Sequence, residues 1–427
     1  MSALKTIAQA WKVKEIRQKM IFTFWMLVIF RIGSNIPVPG MDREILSQVF
    51  DGGTGLFALF DLFSGGAFSQ FTIFALSITP YITASIILQL LAVAIPALER
   101  LTKEGPEGRK KMAQYTRYLT VVLALVQAVG LTVGLFRRAL ISTNIFNVIV
   151  IVLTLAAGTA FLMWLGEQIN ERGIGNGISL LIFAGIISRV PSAVHSTAIK
   201  VINGQVSIIG LIIFLVFAVI VIVGIIMIQQ GQRKVPVQYA KRVVGRKMYG
   251  GQSTFIPIKV NQAGVMPVIF SLSLLQFPLT LTYFWPNSGF AAFVTNWLSP
   301  YGNAAGVTIY TIFNAVLIVA FTYFYTAISF NPVEIAGNLK NNGGFIPGIR
   351  PGRPTAEYLA KVMSRITFVG AVFLVIIAIL PTIISQFTAL DFNFGGTSLL
   401  IAVGVALDTV KQLDNQLLMR NYEGFLK

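Results

Sequence analysis

The chain has 427 residues, 55% hydrophobic and 11% charged, with 33 Lys and Arg against 16 Asp and Glu. So few charges exclude a soluble globular protein of this length. The absence of cysteine excludes disulfides, thiolate metal sites and thiol catalysis.

The N-terminal stretch MSALKTIAQAWKVKEIRQK is basic and amphipathic. No small-residue cleavage site follows the first apolar run, so no cleaved leader is expected. Ten apolar runs follow, near 20–37, 71–94, 117–136, 147–166, 177–190, 207–229, 261–284, 306–329, 365–386 and 397–415. Runs of about 20 residues at ~1.5 Å rise match the ~30 Å hydrocarbon core, which predicts a polytopic α-helical membrane protein. The fifth run is short for a span.

Between the first two runs lies GLFALFDLFSGG (55–66). Leu56, Leu59, Phe60 and Phe63 recur at helical spacing, but the stretch carries Asp61, stops at Gly65-Gly66 and is too short to cross. It reads equally as an interfacial helix or as a re-entrant one buried in protein.

Basic residues set the orientation. The segments on the N-terminal side of the spans hold 27 Lys and Arg and the opposite loops hold five, which places both termini in the cytoplasm. Arg31, inside the first span, completes the count and can snorkel to the outer interface. The spans otherwise carry only Asp408 and, near one end, Lys411. That disfavours an ion-coupled transporter, which places ionisable groups at the midplane. One intramembrane Asp cannot form a carboxylate pair. The single histidine, His195 in the loop SRVPSAVHSTAIK, reads as solvated and is remote from any serine, so no enzyme, metal or cofactor is expected.

Pro80 in ITPYITASIILQLL (78–91) and Pro267 in VNQAGVMPVIF (260–270) interrupt the second and seventh spans, corresponding places in two sets of five. Matched interruptions mark the working site of inverted-repeat transporters and channels; two unrelated kinks are the plain alternative. Ile78 with Ile82, and Ile178 with Ile182, stand four apart on one helix face, and Ile269 follows Pro267. Such residues are ordinary packing unless their helices surround one axis, where an apolar ring gates by dewetting.

Several stretches resemble signatures of the bacterial SecY family, the central subunits of the protein-secretion channel: WLGEQINERGIGNGIS (164–179), ITPYITASIILQLL, FIPGIRPGRPT (345–355), FRIGSNIPVPG (30–40), FSGG (63–66) and FGGTSLLIAVGVALDTVKQ (394–412). The resemblance runs from about Arg17 to the end. It implies ten transmembrane helices in two pseudo-symmetric, inverted-repeat halves, 1–190 and 191–427, around a central pore. A re-entrant plug half-helix would hold Leu56, Phe57, Leu59, Phe60, Asp61, Phe63, Ser64, Gly65 and Gly66, with Asp61 facing a wet funnel. By motif alignment Ile78, Ile82, Ile178, Ile182, Ile269 and Ile401 match the pore ring, and Thr83, Gln127 and Asn261 match a polar cluster closing a lateral gate.

Two cytoplasmic loops, about 230–260 and 331–364, carry Arg233, Lys234, Lys241, Arg242, Arg246, Lys247 and Lys259, and Arg350, Arg353, Lys361 and Arg365. The resemblance makes them docking sites for the ribosome and the SecA motor ATPase, chiefly through Lys241, Arg242, Arg246, Lys247, Arg350 and Arg353. It further implies SecE-like and SecG-like small subunits, signal peptides and precursor chains as partners, contact with membrane lipids, and a bacterial cytoplasmic membrane location. The function implied is passage of unfolded polypeptide outward and of apolar helices sideways into lipid. An inverted-repeat solute transporter is the alternative, and an insertion scaffold without a continuous pore a third.

Because the chain lacks cysteine, orientation is directly testable. Lys5→Cys is expected to resist, and Arg138→Cys to accept, a membrane-impermeant maleimide in intact cells.

Overall fold

A computed structural model describes residues 3–42, 44–46, 61, 64–204, 207–239, 242–244, 247–249, 253–285, 288–299, 302–387 and 396–424. Its first part carries α1 (Ala3–Lys12), α2 (Lys14–Gly33), α3 (Thr79–Ala94), α4 (Pro96–Lys103), α5 (Pro106–Val129), α6 (Ile145–Arg172), α7 (Gly177–Ser188) and α8 (Val190–Ile202). Next come α9 (Ile208–Gln230), strands β1 (Gln232–Tyr239), β2 (Arg242–Val244), β3 (Lys247–Tyr249) and β4 (Ser253–Lys259), then α10 (Met266–Thr282) and α11 (Gly289–Trp297). The last elements are α12 (Ala304–Ser329), α13 (Pro332–Asn341), β5 (Gly344–Phe345), α14 (Arg353–Phe387) and α15 (Gly396–Gly424).

The sequence sets many of the boundaries. Proline occupies the first turns of α3, α4, α5, α10 and α13, where its missing N–H is no loss. Asn144, Asn176, Ser288 and Asn331 cap α6, α7, α11 and α13 through their side-chain oxygens.

Each apolar run falls wholly or partly on a helix. Among the described residues six helices are long and apolar enough to cross a membrane, or seven if α3 and α4, bent by 103°, count as one. The second run is shorter than expected: residues 71–78 form turns, and the helix starts only at Thr79. Phe71 and Ser77 sit at φ 44° and 52°, left-handed values that a helix cannot contain. The fifth run gains length instead, since α7 and α8 follow one another through Arg189 to give a 26-residue candidate span, Gly177–Ile202. His195 therefore lies on a helix rather than in a loop, though exposed as expected.

The chain is mostly helical but not wholly so. β1 pairs antiparallel with β4, from Gln232↔Lys259 to Gln238↔Ser253, and with β5 through Gln238↔Phe345 and Tyr239↔Gly344. The two basic loops thus share one sheet, whose Val235, Val237 and Ile258 pack on Leu339, Leu359, Val362 and Met363. β2 and β3 form a separate small hairpin. Burial at alternate β1 positions, Val235 and Val237, is the two-residue strand period.

Helices from the two ends of the chain meet along at least two lines. α3 packs on α10, and α7 packs on α15. α9 stays almost uncovered by protein, with Ile208, Ile209, Val219, Ile220 and Met227 exposed, which a lipid environment accommodates without cost.

The glycines of the 164–179 stretch serve close packing. A Cβ on Gly177 would collide with the backbone oxygen of Gly166 on α6. Gly177→Ala is therefore expected to destabilise by ~1–3 kcal/mol, read as a lower thermal unfolding midpoint in detergent; an unchanged midpoint would mean α6 and α7 are not held this closely.

Candidate functional site

The candidate site is where α3, α7, α10 and α15 converge. Ile78 caps the start of α3 and Ile82 lies one turn on; Ile178 and Ile182 are on α7, Ile269 on α10 and Ile401 on α15. Five of the six are buried in one apolar cluster, from 0% exposure at Ile401 to 8% at Ile82. Ile178 is partly buried and packs against the same cluster. Leu180, Leu181, Val268, Phe270, Leu400 and Val405 fill it further. Ile78 directly precedes α3, and Ile269 lies in the first turn of α10, two residues after Pro267.

The backbone at one end of this convergence is tied by polar contacts from distant parts of the chain. In GIGNG (173–177) the amide of Gly175 donates to Gln412 Oε1 on α15 (2.7 Å), and that of Ile174 to Thr23 Oγ1 on α2 (3.0 Å). Asn170 Oδ1 accepts from Gly177 (2.8 Å). Lys411 Nζ approaches Gln229 O on α9 (3.5 Å).

Of the stretch 55–66 only Asp61, Ser64, Gly65 and Gly66 are described; Leu56, Phe57, Leu59, Phe60 and Phe63 lie outside the described residues. Asp61 differs from the expectation of a carboxylate facing a wet funnel. It is buried and ion-paired with Arg189, the residue joining α7 to α8. Burial in low dielectric requires such a partner, and the sequence carries no local sign of one 128 residues away.

Thr83, Gln127 and Asn261 are all buried. Thr83 Oγ1 donates to Thr79 O (3.0 Å) and Asn261 Nδ2 to Gly264 O (2.9 Å), while Asn261 Oδ1 is buried without a hydrogen-bond partner. Among the described hydrogen bonds none joins these three residues. Asn261 packs instead beside Gly370 of α14, while Ser271 of α10 donates to Asn314 Oδ1 of α12 (2.7 Å). Sequence reasoning passed over that pair, although a Ser and an Asn inside apolar spans each need a partner.

Of the basic loop residues, Arg233 and Lys234 are exposed on β1 and Lys259 on β4, while Arg350, Arg353, Lys361 and Arg365 are exposed around the start of α14. Lys234 Nζ sits 4.6 Å from the Phe255 ring centroid, and Arg353 pairs with Glu357 (3.0 Å). Arg242 and Lys247 lie on β2 and β3; Lys241 and Arg246 lie outside the described residues. The shared sheet puts both loops on one platform.

The site gathers aliphatic side chains from four helices, and among the described residues no group of three or more His, Cys, Asp or Glu could hold a metal ion. The SecY family model matches residues 72–410. The chain belongs to the SecY family. It is 48% identical over 99% of its length to the whole Protein translocase subunit SecY of Streptomyces scabiei, and likewise 48% identical to that of Halalkalibacterium halodurans. Its fold matches that of a protein-conducting channel at TM-score 0.68 with 22% identity, covering 93% of this chain and 92% of that one. A canine Sec61 in a ribosome–channel complex matches at 0.63 with 20% identity and the same coverage. This SecY-family chain is accordingly a protein-translocation channel subunit and not an enzyme, and the transporter alternative is not favoured.

If the six isoleucines line a constriction, replacing several of them together by Gly or Asp is expected to raise resting ion conductance in planar bilayers, because it would then wet. Unchanged conductance would remove them from the constriction.

Proposed function

We propose that the six isoleucines form the waist of an hourglass pore between two five-span halves, 1–190 and 191–427, closed from outside by the 55–66 segment. The observation that carries this is the convergence of Ile78, Ile82, Ile182, Ile269 and Ile401 in one buried cluster, contributed by four helices from both ends of the chain. Aliphatic side chains part around any passing sequence, form no specific bonds with it, and close against ions by excluding water. All ten apolar runs then act as spans, with both termini in the cytoplasm of a bacterial cell.

The two seams between halves differ in their bonds. The loop leading into α7 is joined to α15 through Gly175 and Gln412, whereas no described hydrogen bond crosses between α3 and α10. The α3–α10 seam is therefore the one that parts to admit a signal helix or release an apolar segment to lipid, with Thr83, Gln127 and Asn261 along it. With packing rather than interhelical hydrogen bonds along this seam, its separation costs little that lipid contacts do not replace.

The basic platform serves partners. Exposed Arg233, Lys234, Lys259, Arg350 and Arg353 suit rRNA phosphates and acidic motor surfaces, in keeping with the ribosome-bound state of the canine relative. A SecE-like small subunit would brace the two halves, and a SecG-like one would attach.

Reconstitution with a SecA-type motor and ATP is expected to make a signal-bearing precursor protease-protected. Failure to protect it while apolar helices still insert would indicate a scaffold instead. The double reversal Arg350→Glu with Arg353→Glu is expected to reduce ATP-driven protection about tenfold or more, since like charges facing each other cost several kcal/mol.

A further inference from the structure

From Val260 to Val333 the chain contains no Asp, Glu, Lys or Arg. Within that stretch α11 lies between α10 and α12, at their ends away from the basic sheet: β4 leads into the head of α10, and the end of α12 leads on to α13 and β5. At ~1.5 Å per residue α11 is only about 14 Å long, far too short to cross the hydrocarbon. α10 is itself short. Its 17 residues rise about 25 Å against a core of ~30 Å, so the chain leaving it starts at the membrane boundary rather than out in water.

The surface of α11 divides into three flanks. Ala291 and Val294 are buried, and the helix packs on both α10 and α12. Phe290, Phe293 and Trp297, spaced i, i+3 and i+7, share a second flank and are 46%, 56% and 40% exposed. Trp285, just beyond α10, is exposed as well. Ala292 and Asn296, four apart, are exposed on the third, small and polar flank. Thr295 spends its hydroxyl on Ala291 O (2.7 Å).

Large aromatics gathered on one exposed flank are a liability in water. A protein partner is ordinarily met by a polar rim around such a patch, and this stretch offers no charge to build one. Aromatic rings on one side of a short helix and polar groups on another suit the headgroup–acyl boundary of a bilayer. The helix is also fixed to its neighbours. A Cβ on Gly302 or Gly306 would lie 2.3 or 1.8 Å from Asn296 O, so α11 is pressed on the chain entering α12. At the end of α10, Tyr283 O sits where a Cβ on Gly134, in the stretch after α5, would collide with it.

We propose that α11 is an interfacial membrane anchor: Phe290, Phe293 and Trp297, with Trp285, enter the lipid boundary on the side opposite the basic sheet and hold the ends of α10 and α12 at a fixed depth. The partner is the lipid surface itself. This rests on reading α10 as a span. Because no charge takes part, the binding is carried by apolar area and by rings placed at the boundary.

The chain has no cysteine, so single-cysteine variants test this directly. Phe290→Cys, Phe293→Cys, Asn296→Cys, Phe277→Cys on α10 and Val219→Cys on α9 would each be labelled with an environment-sensitive fluorophore. The full chain, with whatever subunits copurify, would be reconstituted in vesicles of phosphatidylethanolamine and phosphatidylglycerol. Quenching would be compared for aqueous iodide, for lipid carrying a nitroxide near the headgroup, and for lipid carrying one deep in the acyl chain. The anchor predicts that labels at 290 and 293 are quenched at least threefold more by the shallow nitroxide than by the deep one, and at least threefold less by iodide than the label at 296. Iodide quenching at 290 and 293 equal to that at 296 would overturn the anchor, by putting the aromatic flank in water. Shielding of both positions from iodide and from both nitroxides would also overturn it, by showing that protein covers the flank. In either case lipid quenching at 277 would leave α10 standing as a span. No lipid quenching at 277, with the label at 219 quenched as a control, would overturn the span reading and the anchor with it.

Discussion

A route for polypeptide through about 30 Å of hydrocarbon must be walled by protein on every side, because backbone in transit has nowhere in lipid to place its polar groups. The wall must also carry little that binds the cargo or conducts ions. In the proposed pore, the uncharged aliphatic side chains that converge from α3, α7, α10 and α15 would meet both demands. Turns precede α3, a proline starts α10, and α6 meets α7 closely where Gly177 faces Gly166.

The polar contacts lie around the apolar centre and divide its labour. Bonds from Thr23 and Gln412 grip the 173–177 loop, and the ion pair of Asp61 with Arg189 grips the short segment. The α3–α10 seam relies on side-chain packing. Since lipid chains are as apolar as leucine, helices in a bilayer separate at modest cost where no polar bond crosses. The same physics suits α9, which packs on α15 along one side and leaves most of its apolar surface uncovered by protein. Outside the membrane, the three-stranded sheet turns two basic loops into one surface, so a docking partner meets fixed rather than independent charges.

Much of this was legible in the sequence because span length, proline position and charge sign are local properties. Pro80 and Pro267 marked the heads of α3 and α10, and the motifs around Gly175 and Ile401 identified the family. What the sequence concealed depends on distant pairing. The partner of Asp61 is 128 residues away, and the strands Gln232–Tyr239 and Gly344–Phe345 are separated by two further helical spans. The second span was misjudged at its start because the left-handed turns at Phe71 and Ser77 occur at residues that normally avoid them. His195 was placed in a loop, since a proline one turn earlier also starts helices, and α8 does begin there.

The central claim is that translocating chain passes through the isoleucine cluster and not along a lipid-facing surface. Single cysteines at positions 82, 182, 269 and 401, with a control at the exposed Val219 of α9, can be oxidised against a precursor stalled in transit that carries one cysteine midway. The account predicts disulfide adducts at all four cluster positions and none at 219. Adducts at 219 with none in the cluster would contradict it.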